Sequence, residues 1–296
     1  MLNESELEKL RKAGKIAAQA LQLGMDMVDD DVKLYDVAQE VEGYIRSHGA
    51  KLAFPCNLGI NEIAAHYTPS PKDKLRFETG DVVKVDVGAH IDGYVGDTAG
   101  TVEVRTKNHT SLIESSKHAR DVVMEFVGDG CPINEIGKAV DASIRNDGFL
   151  PISNLCGHQI EQYKLHAGLS IPNIDDGNTD EVEKGMILAI EPFATNGGGM
   201  MKTGKPGNVY RIIRERPIED PALKDFYEFL KEEVSTFPFS DRWFDDPKAS
   251  FKVNKLLRHG IVSSYPQFIE IKKGCVSQWE HTVYVNGKRA EITTLP

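Results

Sequence analysis

Residues Asp81 to Asp97 read DVVKVDVGAHIDGYVGD, and this stretch decides the fold. Val82, Val83, Val85 and Val87 form a β-branched run, Asp92-Gly93 is a two-residue hairpin turn, and Tyr94 to Val104 continues as a second strand. With Asp92 and Gly93 at the tip, Gly88 stands opposite Asp97. Asp86 lies two residues before Gly88 and shares its face, so Asp86 and Asp97 become diagonal neighbours with Cα atoms roughly 7–8 Å apart. Two carboxylates that close repel unless something positive sits between them. Read alone, the hairpin is more plainly a pair of solvated aspartates beside a turn.

A second segment repeats the same grammar. Gly185-Met186-Ile187-Leu188-Ala189-Ile190-Glu191 aligns without a gap on Gly80-Asp81-Val82-Val83-Lys84-Val85-Asp86, placing Glu191 where the first copy has Asp86. Earlier, Val37, Val41, Ile45, Arg46 and Gly49 correspond to Ile136, Val140, Ile144, Arg145 and Gly148, and each helical period stops at its glycine. The spacing predicts a duplicated unit of helix, helix and antiparallel strands, with a pseudo-twofold axis that brings the equivalent acids to one centre.

A third acid lies in Cys275 to Val285, CVSQWEHTVYV, which reads as one strand with Glu280 inside it and Trp279, His281 and Val283 on the opposite side. By the duplication, Glu280 corresponds to Asp97. Imidazoles supply further ligand types. His158 follows an apparent strand, and His166 lies eight residues on; were the stretch extended, both rings would face one side. His66 sits in Asn61 to Pro69. Taken singly, each of these histidines reads first as structural or surface, as do His48, His90, His109, His118, His259 and His281.

At this point the chain resembles a known family, the type 2 methionine aminopeptidases in the short form typical of archaea. Lys84, Asp86, Gly88, His90, Asp92, Gly93 and Asp97 match the type 2 signature within the opening stretch. Phe54-Pro55, Asn61 to Pro69, Gly157-His158, His166-Ala167-Gly168, Glu191 to Thr195 and Glu280-His281-Thr282 extend the match over nearly the whole chain. The resemblance implies an α+β pita-bread fold, shared with prolidase, aminopeptidase P and creatinase: duplicated helix-strand units around a curved antiparallel sheet. It also implies removal of the initiator methionine from nascent proteins whose second residue is small.

Carried over residue by residue, the resemblance implies metal ligands at Asp86, Asp97, His158, Glu191 and Glu280, holding two divalent ions (Co, Mn, Fe or Zn). Asp97 and Glu280 would bridge the ions, Asp86 would complete one shell, and His158 with Glu191 the other. Four carboxylates and an imidazole suit hard-to-borderline ions better than a thiolate set would. The implied chemistry is attack of metal-activated hydroxide on the scissile carbonyl. Glu191 is the candidate general base. His166 is placed to hydrogen-bond the carbonyl or oxyanion, and His66 the scissile amide or leaving amine. The methionine pocket would draw on Phe54, Leu165, His166 and Tyr265.

Composition sets the remaining bounds. With 296 residues and 40% hydrophobic content the chain can bury a large core, and residues 1–296 are expected to form a single catalytic domain. A net charge of −10 argues against broad phosphate-backbone binding, so no DNA partner is expected. The N-terminus lacks a basic and apolar leader pattern, and no run approaches the ~20 apolar residues of a membrane span, which points to the cytoplasm. Asn3 with Glu6 reads instead as a helix cap, followed by Leu7, Leu10, Ala17 and Leu21 at helical spacing. The chain starts at its first catalytic-domain helix, so the transient ribosome contact that the family permits would use the folded domain. A monomer is expected.

Cys56, Cys131, Cys156 and Cys275 lack the spacing of a disulfide framework or zinc site, and Cys156 reads as a small buried hydrophobe. Residues 207–270 have no counterpart in the first unit and read as an inserted helical subdomain typical of type 2, packed on the catalytic core. Within it Asp220-Pro221 opens a helix with Leu223, Phe226, Tyr227, Leu230 and Val234 on one side. Asp246-Pro247 opens another with Phe251, Leu256 and Leu257, stopped near Gly260. Two rival functions share this pattern: a proline-specific pita-bread peptidase, which usually carries a large N-terminal domain, and a non-enzymatic interaction protein, which would have lost metal ligands.

Overall fold

In the computed structural model, which describes residues 1–296, the repeated grammar becomes two successive helix-strand units. The first runs α1 (Glu4–Met27), α2 (Leu34–Ser47), β1 (Lys51–Ile60), β2 (Ile63–Ala65), β3 (Val82–Ile91) and β4 (Tyr94–Glu103). The second opens with α3 (Thr110–Met124), α4 (Ile133–Asn146), β5 (Leu150–Pro151), β6 (Cys156–Ile160), β7 (Ser170–Pro172), β8 (Ile187–Ile190), β9 (Phe193–Thr195) and β10 (Met201–Ile212). It continues through α5 (Pro221–Val234), α6 (Ala249–Arg258), β11 (Val262–Glu270), β12 (Val276–Gln278), β13 (His281–Tyr284) and β14 (Glu291–Ile292).

Local signals explain the boundaries. Asn3 and Glu6 form a reciprocal capping box at the start of α1, each side chain accepting the other's backbone N–H. Gly49 (φ +80°) and Gly148 (φ +85°) end α2 and α4 in the left-handed region, and Gly80 (+97°) and Gly185 (+99°) turn the chain into β3 and β8. The matched apolar positions are the buried ones. Val37, Val41 and Ile45 enter a core with Val83 and Val85, whereas Ile136, Val140 and Ile144 enter a separate core with Leu188, Ile190 and Val283. Each unit therefore buries its own helix face on its own sheet.

Four sheets form: β1-β3-β4, β14-β13-β8-β6-β7, β12-β9-β5 and β10-β11-β2. In the opening hairpin Gly88 pairs with Asp97 and Asp86 with Ala99, the register expected from the turn. Asp92 (φ 49°) and Gly93 (φ 84°) both adopt left-handed backbone, as the mirror-image turn of a two-residue hairpin requires. Strand β4 meets the second unit along a seam of side-chain to backbone bonds, to β13 and to β12. Thr282 Oγ1 accepts the N–H of Asp97 (2.8 Å) and donates to its carbonyl (2.7 Å), while Thr101 Oγ1 does the same for Gln278 (2.9 and 2.8 Å).

Several local expectations need correction. Cys275 to Val285 is not one strand: β12 pairs with β9, β13 pairs with β8, and Trp279 and Glu280 lie at the change of partner. A chain that switches sheets cannot keep strict alternation, and the backbone N–H of Glu280 bonds Ala99 of β4 instead (3.0 Å). The chain between His158 and His166 turns back at Glu161 to Lys164, so strand parity does not bring the two rings together. Helix α6 starts at Ala249 with Lys248 as its cap; Asp246 accepts the Lys248 N–H one turn earlier. Phe251 is 60% exposed, and Val253 takes the buried position. Cys156 is exposed rather than buried. Segment 207–270 also begins and ends in strands, since β10 pairs with β11 and β11 with β2. Its helices pack around Leu223, Phe226, Leu230, Phe239, Val253 and Leu256.

Candidate metal centre

Each unit delivers acids to the seam. Asp86 projects from β3 and Asp97 from β4, Glu191 follows β8 immediately, and Glu280 occupies the partner switch between β12 and β13. Ligand atoms of Asp86, Asp97 and Glu280 all lie within 4.8 Å of one another. On the other side of Asp97 stands His158 of β6, its Nε2 3.6 Å from Asp97 Oδ2 and 3.8 Å from Glu191 Oε1. Asp97 is thus common to both groups.

Burial makes this arrangement costly without a cation. Burial first, then the neighbouring carboxylates, raises the proton affinity of Asp86, Glu191 and Glu280 well above the usual range. Asp97 is pushed in the same direction by burial, opposed by its hydrogen bonds. His158 is held neutral, its pKa lowered to about 3 by burial and then by His166. Asp86 Oδ1 is buried without a hydrogen-bond partner. Four buried acids and a neutral imidazole, with one carboxylate oxygen left unpaired, have the chemistry that suits a divalent cation.

The cluster floors a cavity of about 370 Å³. Phe54, His66, Leu165, His166 and Tyr265, the residues expected at a substrate pocket, all line it. Gly88 shapes the wall beside Asp97, because a Cβ there would lie 2.2 Å from Cε1 of Phe54. His66 has left-handed backbone (φ 63°), and its Nδ1 lies 3.2 Å from the Pro266 carbonyl, to which it must donate. Its ring packs on Phe268 and Tyr265, with centroids 4.4 and 5.0 Å away, and burial lowers its pKa to about 4. The His166 ring centroid is 4.4 Å from that of His158, and its pKa is lowered by burial and then by Arg211.

Two residues at the site were not singled out from the sequence. Gln278 is buried, and its Nε2 donates to Glu191 Oε2 (3.2 Å) and Glu280 Oε2 (3.3 Å). Its position two residues before Glu280 was the available signal. Asn57 pairs with Asp86 across β1 and β3 and also lines the cavity. Only the strand register reveals it.

Residues 8–286 match the metallopeptidase family M24. The chain is 40% identical to the methionine aminopeptidase of Methanocaldococcus jannaschii over 97% of this chain and 98% of that one. It is 42% identical to that of Archaeoglobus fulgidus over 99% of this chain and 100% of the relative. Among solved structures, a thermophilic Arx1 superposes with a TM-score of 0.86 at 16% identity, covering 100% of this chain and 92% of the other. A methionine aminopeptidase from Thermotoga maritima gives 0.72 at 22% identity, covering 100% and 98%. At such identities these two structures speak for the shared pita-bread fold alone.

Proposed function

The chain belongs to metallopeptidase family M24, and from that premise we propose that it is a metal-dependent aminopeptidase that removes the initiator methionine from proteins with a small second residue. The observation that carries the reading is the convergence of Asp86, Asp97, His158, Glu191 and Glu280 on the floor of one largely apolar cavity.

Those five side chains would hold two divalent ions, of Mn, Fe, Co or Zn type. Bound there, such ions supply Lewis acidity toward the scissile carbonyl and toward an attacking water. The protein's own groups do the rest. Glu191 accepts the proton of the attacking water at a carboxylate oxygen, while Gln278 holds its Oε2 in place. His66 spends its Nδ1–H on Pro266, so Nε2 is left as an acceptor for the N–H of the scissile amide. His166 donates an N–H to the carbonyl oxygen as charge develops there. Phe54, Leu165 and Tyr265 form the slot for an unbranched thioether, and steric exclusion limits the second residue.

No helix is long and apolar enough to cross a membrane. The proposed setting is the cytosol, with a monomer of one catalytic domain meeting nascent N-termini, in transient contact with the ribosome through its folded surface. Purified protein supplied with Co or Mn is expected to release methionine from a Met-Ala-Ser peptide and to leave an X-Pro dipeptide intact. Cleavage of the X-Pro substrate alone would overturn the assignment in favour of the proline-specific alternative.

A further inference from the structure

Arg242 lies in the short turn Asp241–Trp243 within segment 207–270, and its side chain is fully buried against Glu42 of α2. The guanidinium donates through Nη2 to Glu42 Oε1 (2.5 Å) and through Nη1 to Oε2 (3.2 Å), a planar fork matched to a carboxylate. Trp243 Nε1 also donates to Oε2 (2.9 Å). Neither charged residue lines the cavity.

Their other bonds lead to it. The backbone N–H of Cys56 donates to Glu42 Oε1 (2.9 Å). Arg242 Nη2 donates to Thr68 Oγ1 (2.9 Å), and that hydroxyl donates to the Cys56 carbonyl (2.7 Å). Cys56 occupies a bulge: Phe54 pairs with Gly88 and Asn57 with Asp86, so three steps on β1 oppose two on β3. In a regular strand, residues three apart face opposite sides. Here Phe54 and Asn57 both line the cavity because the extra residue has been absorbed between them. The ladder leaves Cys56 without a partner, and the buried pair takes its N–H directly and its carbonyl through Thr68. Thr68 in turn lies two residues beyond His66.

We propose that Glu42 and Arg242 are positioning residues for the methionine pocket, a strut that fixes the β1 bulge and with it the stance of Phe54 and Asn57. The inference rests on reading the cavity as a methionine site. A buried ion pair adds little net stability over an apolar contact of the same volume, but it imposes strict directions on whatever bonds to it. Placing the cation on segment 207–270 makes the pocket wall depend on that segment being docked.

The test uses the metal-loaded enzyme and three variants, Glu42→Gln, Arg242→Met and Trp243→Phe, with folding checked by circular dichroism. For Glu42→Gln and Arg242→Met the KM for Met-Ala-Ser is expected to rise about 5- to 10-fold, with kcat of the folded enzyme within about twofold and metal affinity unchanged. Trp243→Phe keeps the ion pair and removes a single bond to Glu42, so it should fold even where the others do not; its KM should rise about threefold. Because KM is independent of the amount of active protein, loss of folded enzyme alone would leave it unmoved. An active parent whose folded variants, Trp243→Phe included, keep the parental KM would overturn this inference alone. A parent that releases no methionine would overturn it together with the reading it rests on.

Discussion

Gln278 offers one amide nitrogen to two acids, Glu191 just after β8 and Glu280 between β12 and β13, and so ties one carboxylate oxygen of each to a common donor. Groups that orient ligands in this way typically change metal affinity by about 10- to 100-fold when removed. Gln278→Leu, close in shape but unable to donate, is therefore expected to weaken binding of Mn or Co by that factor while the metal-free protein stays folded. Calorimetric titration of the metal-free protein measures it, and an unaltered affinity would show that the acids are oriented by something else. The acids themselves were legible from sequence, because the parity of a two-residue hairpin fixes which side chains share a face, and Asp86 and Asp97 obey it. Gln278 was not. An uncharged amide in a β-rich run carries no electrostatic anomaly, and its meaning appears only when Glu191, 87 residues away in sequence, is brought beside it.

At the scale of elements, the β3–β4 hairpin is closed by a histidine as well as by its turn. His90 Nδ1 accepts the N–H of Gly93 (3.2 Å), with its ring against Phe237 at 4.5 Å between centroids. Burial, then the nearby Lys51, holds its pKa down at about 4, with Asp92 opposing. The folded-state value lies below the unfolded one of about 6.5, so the unfolded chain takes up the proton first as pH falls. Stability from this group is present above about pH 6.5 and is lost as pH falls toward about 4. His90→Asn places a non-titrating acceptor near the same spot. Between pH 7 and pH 5, urea unfolding should show the parent losing about 2 kcal/mol more than the variant. Equal losses would mean that the proton enters elsewhere. The hairpin was readable because its determinants are local. The break at Trp279 and Glu280, and the β10–β11–β2 sheet that frames segment 207–270, were not, since both depend on pairings between residues far apart in sequence.

The whole molecule is two units that each bury their own helices, joined where β4 meets β12 and β13. The duplication was visible in matched apolar positions and in two pairs of glycines, all four of which adopt left-handed backbone. The seam was not visible, because threonine in a strand is ordinarily read as a β-former rather than as a clamp. Thr282 shows what the reading misses: its single hydroxyl accepts from the N–H of Asp97 and donates to the carbonyl of the same residue, across the boundary between units. Thr282→Val preserves shape and β-propensity but leaves both backbone groups of Asp97 buried without partners. The expected cost is about 2–4 kcal/mol in urea unfolding of the metal-free protein, whereas Thr282→Ser, which keeps the hydroxyl, should cost less than about 1 kcal/mol. Metal affinity should fall in the valine variant and not in the serine one, because the displaced residue is the acid common to both halves of the site. If the two variants unfold at the same urea concentration, the units are held together by apolar contact alone, and the position of Asp97 owes nothing to the seam.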